Sequence, residues 1–187
     1  MTMKRILLSI AATAMLLTAG AVSGLAQGMN VVTNGDFTSP LSGTWTTVPF
    51  GTNPIVDRTC PIQTPIANPS PLFSCRARIL TFAASDGGEF FQSVTIPTSP
   101  TLGATYRLVF GYLNNSTTGM TATAIISDGT TTISSDVALS TSSTEKVVDV
   151  LIPSTFGSSA TITLRMVNVD GGQKQVLFDN ISLTRMQ

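Results

Sequence analysis

The amino-acid sequence predicts an all-β protein, a jelly-roll β-sandwich built from two antiparallel sheets. About eight to ten short segments rich in Val, Ile, Thr and aromatic residues alternate between apolar and polar positions. Turn dipeptides separate these segments, including Asn34-Gly35, Asp128-Gly129 and Asp170-Gly171. No segment has a capped 3.6-residue period, so no helix is predicted inside the domain. Many short strands divided by turns are typical of sandwiches and jelly rolls.

Residues 1–26 have the features of a secretory signal peptide. Lys4 and Arg5 form a short basic region, an apolar run follows, and Gly24-Leu25-Ala26 supplies small residues for cleavage after Ala26. The apolar run approaches the length that spans a bilayer, so an uncleaved membrane anchor is the alternative. We expect a secreted protein, extracellular or at the cell surface, with no membrane insertion after cleavage.

The remaining residues, 27–187, are long enough for one well-packed domain and short for two. Charged residues make up 11% of the sequence, well below the usual quarter. Cleavage of the signal removes two basic residues and leaves a slightly acidic chain without basic clusters. Nucleic acid is therefore not an expected partner.

The strands are predicted in order along this domain, with the longest irregular stretch at residues 49–71, which is rich in proline and glycine. Alternation in residues 106–113 places Tyr106, Leu108, Phe110 and Tyr112 on one face, and residues 160–169 point Ile162, Leu164 and Met166 inward. The predicted strands are 30–33, 45–48, 75–83, 90–96, 106–113, 121–127, 131–134, 147–152, 160–169 and 176–183.

The two cysteines, Cys60 and Cys75, bracket the second half of the proline-rich stretch. In an oxidising compartment we expect a disulfide between them, closing a loop of about fifteen residues and worth roughly 3 kcal/mol. Two free thiols are the alternative. A metal site at these cysteines is not expected, because the chain has no histidine and no second cysteine pair.

The last strand contains a carboxylate that needs an explanation. Strict alternation would place Leu177, Asp179, Ile181 and Leu183 on one face, and that face is apolar apart from Asp179. A buried carboxylate is costly unless a cation or several N–H donors satisfy it. We expect Asp179 to lie at the rim of the sandwich near the Asn34–Phe37 turn.

Several motifs resemble those of the galactose-binding-like jelly rolls, which include family 4, 9 and 22 carbohydrate-binding modules. Asn34-Gly35-Asp36-Phe37 followed by Trp45 resembles their opening "N-G-x-F-E … W". The segments 92–96 and 103–110 resemble their "Q-x-V-x-L … G-x-x-Y-x-L-x-F", and residues 178–183 resemble their closing "I-D-D-V-S-L". The resemblance covers essentially the whole domain and implies the jelly-roll fold, which serves many functions.

The resemblance also implies a structural Ca²⁺ ion where the first loop meets the last strand. Asp179 is the expected carboxylate ligand, with Asp36 and carbonyl groups near Asn34 as partners. Thr38 stands where the family usually has Glu, which removes one expected carboxylate. The alternative is that Asp179 accepts N–H bonds from the first loop without any metal.

A polysaccharide or glycan is the partner that the resemblance implies. Sugar recognition uses aromatic faces together with amide, carboxylate or guanidinium groups. Tyr112 beside Asn114 is the predicted exposed platform, although Tyr112 also fits the hydrophobic row of its strand. Arg76, Arg78 and Gln92 are predicted to line a concave face, or else to be solvated outward residues of half-buried strands.

The sequence predicts a protein that is not an enzyme. Without histidine the common general base is missing, and most of the Asp residues lie in turn contexts. The alternative to sugar binding is an extracellular structural or adhesive protein, with self-assembly through exposed edge strands. Exposed aromatic and amide side chains would favour sugar binding, whereas burial of Trp45, Tyr106 and Tyr112 together would favour the structural role.

Overall fold

The computed structural model describes residues 28–60, 75–96 and 103–186. The predicted signal peptide lies outside these ranges. These ranges contain ten strands: β1 (Thr46–Phe50), β2 (Ile55–Thr59), β3 (Arg76–Thr81), β4 (Gly87–Thr95), β5 (Ala104–Asn114), β6 (Met120–Ser127), β7 (Thr132–Asp136), β8 (Thr144–Ile152), β9 (Ser159–Asn168) and β10 (Lys174–Arg185). None of the described residues belongs to a helix that is long and apolar enough to cross a membrane.

The strands form two five-stranded antiparallel sheets. Sheet A has the order β2-β3-β10-β5-β8, and sheet B has the order β1-β4-β9-β6-β7. The predicted all-β sandwich of two antiparallel sheets is therefore confirmed. Strands that are distant in the chain lie side by side in both sheets, as in a jelly roll.

The core lies between the sheets and follows the predicted alternation. The inward row of β5 consists of Tyr106, Leu108, Phe110 and Tyr112, each at most 3% exposed. Opposite it, Ile162, Leu164 and Met166 of β9 are completely buried. Phe110 contacts Phe178 of β10 edge-to-face, with ring centroids 6.0 Å apart. The predicted shared face of β5 and the predicted inward row of β9 are confirmed.

Two predicted elements differ in the structure. Residues 55–59, placed in the loop by their proline-rich surroundings, form β2, an edge strand whose Val56 pairs with Ile79 of β3. Residues 30–33 do not form a regular strand and contribute only one bridge, between Asn30 and Thr184. β2 forms despite its surroundings because an edge strand pairs with only one neighbour and tolerates flanking prolines.

The segment from Asn30 to Gly35 nevertheless completes sheet A. β3 pairs only with the first half of β10, from Lys174 to Phe178. Beyond that point, Val31 N–H donates to the Leu183 carbonyl at 3.0 Å, and Ile181 N–H donates to the Gly35 carbonyl at 2.9 Å. The N-terminal segment therefore occupies the space beside β10 that β3 leaves free.

A β-bulge in β10 corrects the predicted face of Asp179. The register with β5 shifts between Asp179 and Ser182, where Asn180 has a φ of 52°. The bulge turns Ile181 and Leu183 into the core beside Phe178, and leaves Asp179 on the outer side of sheet A. The prediction that Asp179, Ile181 and Leu183 share one face is wrong, because the extra residue reverses the alternation.

The predicted disulfide is present and joins Cys60 to Cys75, whose Cα atoms are 4.0 Å apart. Cys60 follows the last residue of β2 and Cys75 precedes the first residue of β3. The bond therefore closes the end of an antiparallel pair. The intervening residues, 61–74, lie outside the described ranges.

The bulge predicts different effects for two substitutions of Asn180. Asn180→Gly should leave the free energy of unfolding nearly unchanged, since glycine tolerates a positive φ. Asn180→Val should lower it by about 1–2 kcal/mol, because a β-branched residue is strained in the left-handed region. Urea unfolding of both variants measures the difference. Equal stability of the two would contradict the bulge geometry.

Candidate functional site

The predicted aromatic platform is not on the surface. Tyr112 lies in the inward row of β5 and is 3% exposed, with its ring 6.2 Å from that of Phe110. The prediction of an exposed Tyr112 is wrong, because the alternation of β5 turns this position toward the core. Trp45 is 4% exposed and Tyr106 is completely buried.

Gln92 and Asn114 also face inward, and both hold loops in place. Gln92 exchanges two hydrogen bonds of 2.8 Å with the backbone of Thr33 and donates a third to the Thr44 carbonyl. Asn114 Oδ1 accepts the Ser140 N–H at 3.2 Å. These buried amides are used within the fold, so neither presents its side chain on a concave face.

Arg76 and Arg78 lie apart from these residues, on the outer face of sheet A. The guanidinium of Arg78 forms a two-pronged ion pair with Asp57 of β2, at 2.9 and 2.6 Å, which raises the pKa of Arg78. Arg76 is half-buried and lies close enough to Asp179 to favour its ionised form. The structure therefore does not gather the predicted sugar-binding residues into one site.

Asp179 lies at the junction of three segments, namely β3, the bulge of β10 and the first turn. It is completely buried, and its Oδ1 accepts the N–H of Asn180 at 2.8 Å. Among the described residues, its Oδ2 is buried and accepts no hydrogen bond. Burial raises the pKa of Asp179 from 3.8 to about 6, and the charge of Asp36 adds to this rise.

The side chains of the first turn bond within their own loop and donate no hydrogen bond to the carboxylate of Asp179. Asn34 Oδ1 accepts the Ser39 N–H at 3.0 Å, and the Asn34 carbonyl accepts the indole N–H of Trp45 at 3.0 Å. Asp36 Oδ1 accepts the hydroxyl of Thr38 at 3.1 Å. Within the described residues, no three His, Cys, Asp or Glu side chains form a group that could hold a metal ion. The only N–H that bonds Asp179 there is that of Asn180, so the first loop does not satisfy it either.

The outer face of sheet B carries an arrangement that the sequence reasoning missed. Its strands align side chains in rows across the sheet, and one row runs from Glu89 through Arg165 and Thr123 to Asp136. The next row places Phe91 between hydroxyl-bearing neighbours: Thr46, Phe91, Thr163, Ile125 and Ser134. This face therefore combines hydroxyl groups, an ion pair and an aromatic ring.

Phe91 faces outward from β4, the strand next to the edge strand β1 of this sheet. Its neighbours Phe90 and Gln92 point into the core, so alternation turns Phe91 to the other side, where it is half-buried. A groove of about 320 Å³ lies beside it, with Thr44, Thr46 and Ser93 among its lining residues. The groove offers one apolar ring together with hydroxyl and carbonyl groups.

A second aromatic group, Phe50, is fixed at the edge of this face. Its ring lies over Gly87, where a Cβ atom would come within 2.4 Å of the ring carbons. The guanidinium carbon of Arg165 lies 5.0 Å from the centroid of the ring, and Arg165 Nη1 is 3.2 Å from Glu89 Oε1. Phe50 and Glu89 thus orient Arg165 while its side chain remains 44% exposed.

A signal for this surface was present in the sequence. Adjacent Phe90 and Phe91 in a predicted strand must face opposite sides, so one phenyl ring has to point away from the core. Trp45, Tyr106 and Tyr112 are all buried, so the outward aromatic ring of this strand is a phenylalanine.

The fold is that of carbohydrate-binding modules, as comparison with solved structures shows. TmCBM61, solved in complex with β-1,4-galactotriose, is 20% identical with a TM-score of 0.61, and the match covers 84% of this chain and 99% of that one. A CBM4 structure is 15% identical with a TM-score of 0.58, covering 83% and 99%. Such low identity establishes a shared fold alone.

The enzymatically active domain of tailspike protein 4 from bacteriophage CBA120 is also similar, with 18% identity and a TM-score of 0.60. The match covers 84% of this chain but only 21% of the tailspike chain. No protein-family model and no curated protein matches the sequence. The suspected relation to carbohydrate-binding jelly rolls is confirmed at the level of fold.

The environment of Asp179 predicts a pH dependence in the absence of metal. The pKa of Asp179 is about 6 in the folded protein and near 3.8 when unfolded. Ionisation therefore lowers the free energy of unfolding as pH rises through this window, by roughly 3 kcal/mol in total. Asparagine does not ionise, so Asp179→Asn should not lose this free energy. In chelator, its free energy of unfolding should match that of the wild type at pH 4 and exceed it at pH 7.

Urea unfolding at several pH values measures this difference, and subtraction of the two curves removes the contributions of other carboxyl groups. Asp136→Asn, an exposed position of β7, is the control and should follow the wild type. Parallel curves for Asp179→Asn and wild type would show that burial does not perturb Asp179.

Proposed function

We propose that this protein is an exported, non-catalytic carbohydrate-binding module that holds a glycan or polysaccharide on the outer face of sheet B. The observation that carries the proposal is Phe91, a phenyl ring on the solvent side of β4, beside a groove and between hydroxyl-bearing neighbours. The shared fold supports it, since TmCBM61 is described in complex with β-1,4-galactotriose.

The chemistry of this face suits a neutral sugar. A pyranose ring has C–H groups that can stack on the phenyl face of Phe91, and hydroxyl groups around its edge. Arg165 can donate to these hydroxyls and Glu89 can accept from them, because both side chains remain partly exposed. The pair has no net charge, so it selects hydroxyl geometry rather than ligand charge.

Catalysis is not part of the proposal. Glu89 and Asp136 lie in the same row but are separated by two intervening strands, β9 and β6. At about 4.8 Å per strand spacing, their backbones are about 14 Å apart. Glycosidases place their two carboxyl groups about 5–10 Å apart. Glu89 is also engaged with Arg165, which favours a binding role.

We also propose that a structural Ca²⁺ ion binds at Asp179. The orphaned, buried Oδ2 and the nearby charge of Asp36 fit a cation, which would neutralise both carboxylates. The carbonyl groups of the first turn would complete the oxygen shell, whereas the side chain of Asn34 is already used in its loop. Such an ion would join β10 to the N-terminal segment.

A structural or adhesive role without sugar binding is the second candidate. Trp45, Tyr106 and Tyr112 are all buried, as that role predicts. The edge strand β8 also exposes apolar side chains, with Val147 at 47% and Leu151 at 67%. Exposed edges of this kind permit assembly with another copy or another chain.

Removal of the phenyl ring tests the sugar-binding proposal. Phe91→Ala should weaken binding about tenfold or more, because the stacking surface is lost while the core is untouched. A glycan array with the purified domain identifies the ligand, and calorimetry then measures the affinity of the variant.

Val147→Ala provides the matched control, since it removes an exposed apolar side chain from the outer face of sheet A. Its affinity should equal that of the wild type. A blank array from demonstrably folded protein would instead favour the structural role, and sedimentation would then test for assembly.

Calcium binding has its own test in thermal unfolding. At about 100 times its Kd, Ca²⁺ should stabilise the wild type by about 2.7 kcal/mol. For a domain of this size, that corresponds to a rise in Tm of about 5–10 °C, which chelator should reverse. Asp179→Asn should not respond to either treatment. If chelator and Ca²⁺ leave wild-type melting unchanged, no calcium site is present.

A further inference from the structure

A second concavity, the edge cleft, lies at the open side of the sandwich between β1 and β2. Its volume is about 510 Å³, and its lining includes Leu41, Trp45, Thr47, Val56, Asp57 and Arg58. The cleft is separated from the groove beside Phe91 by the loop that leads to Trp45, whose residues contribute to both.

Arg58 is a cation on the core-facing row of β2. It pairs in register with Ala77, which is completely buried, and its own side chain is half-buried. Its Nε donates to the Phe37 carbonyl at 2.6 Å and its Nη2 donates to the Thr38 carbonyl at 2.7 Å. These two bonds fix the plane of the guanidinium against the first loop.

Among the described residues, no carboxylate forms an ion pair with Arg58. All ten acidic side chains lie in the described residues, and none of the ion pairs found there includes Arg58. Its two partners are neutral carbonyl groups. The edge formed by Nη1 and Nη2 therefore retains N–H groups of the geometry that binds a carboxylate with two hydrogen bonds.

Asp57, the neighbouring residue, does not balance the charge of Arg58, because strand alternation turns its side chain to the other face of β2. There each of its oxygens accepts one hydrogen bond from Arg78. Leu41 and Val56 supply an apolar wall on the same cleft.

From this combination we propose that the edge cleft binds a uronic acid residue of a glycan. The sugar carboxylate pairs with the free edge of Arg58, and its C–H surface lies against Leu41 and Val56. The inference goes beyond the proposed function and rests on it in one respect, that the ligand is a saccharide.

The chain provides a fluorescent reporter of binding, because Trp45 is its only tryptophan and lines both the cleft and the groove beside Phe91. The mature domain is titrated with trigalacturonate and, separately, with neutral galactotriose, followed by tryptophan fluorescence and calorimetry. Trigalacturonate should bind at least about tenfold more tightly and should weaken as salt rises. Equal affinities, or no binding of trigalacturonate, would overturn the proposal.

Variants separate this cleft from the face around Phe91. Arg58→Gln should abolish the preference for the acidic sugar, and Thr47→Phe, which fills the cleft without removing Arg58, should block trigalacturonate even if Arg58→Gln folds poorly. Phe91→Ala should weaken galactotriose binding alone, and loss of trigalacturonate binding in that variant would place the acidic sugar on sheet B and overturn the assignment. Loss of neutral-sugar binding in Phe91→Ala with trigalacturonate binding intact would support both sites independently.

Discussion

The structure depends on the pairing of β10, the strand on which the rest of sheet A is assembled. It pairs along its length with β5, while its other side is shared between β3 and the N-terminal segment around Val31. Asp179 lies where those two partners meet, and the bulge at Asn180 lets the strand change the direction of its side chains at that point. Because of this additional residue, Phe178 and Ile181 both lie in the core, while the carboxylate of Asp179 is buried where β3 and the N-terminal segment meet.

The fold was predictable because its signals are local. Alternation in β5 and β9 and the turn dipeptides specify strands and inward rows directly. The bulge was not predictable, because nothing in the sequence around Asn180 marks it. It arises from the pairing of β10 with β5, in which Asn180 and Ile181 both lie opposite Phe110. β2 was missed for a related reason: proline-rich surroundings outweighed the short alternation of Val56, Asp57 and Arg58.

The candidate site was less predictable than the fold. Tyr112 and Asn114 suggested a platform by residue type, whereas strand parity determines which side chains reach solvent. Strand alternation places the tyrosines in the core and leaves Phe91 and Arg165 on the outer face of sheet B. The grouping of Arg165 with Phe50 and Glu89 depends on the order β1-β4-β9, which joins strands from opposite ends of the sequence. Residue type therefore suggests which side chains could bind a ligand, and the order of the strands determines which of them lie together on the surface.

The bridge between Asn30 and Thr184 also has a mechanical consequence. The two segments run antiparallel, so the chain enters and leaves the domain at the same end of one strand pair. Tension applied through both ends would act on these hydrogen bonds one after another, as in unzipping, rather than on all of them together in shear. Force transmitted along the chain would therefore first detach the N-terminal segment from β10 and expose Asp179, while the rest of both sheets still holds.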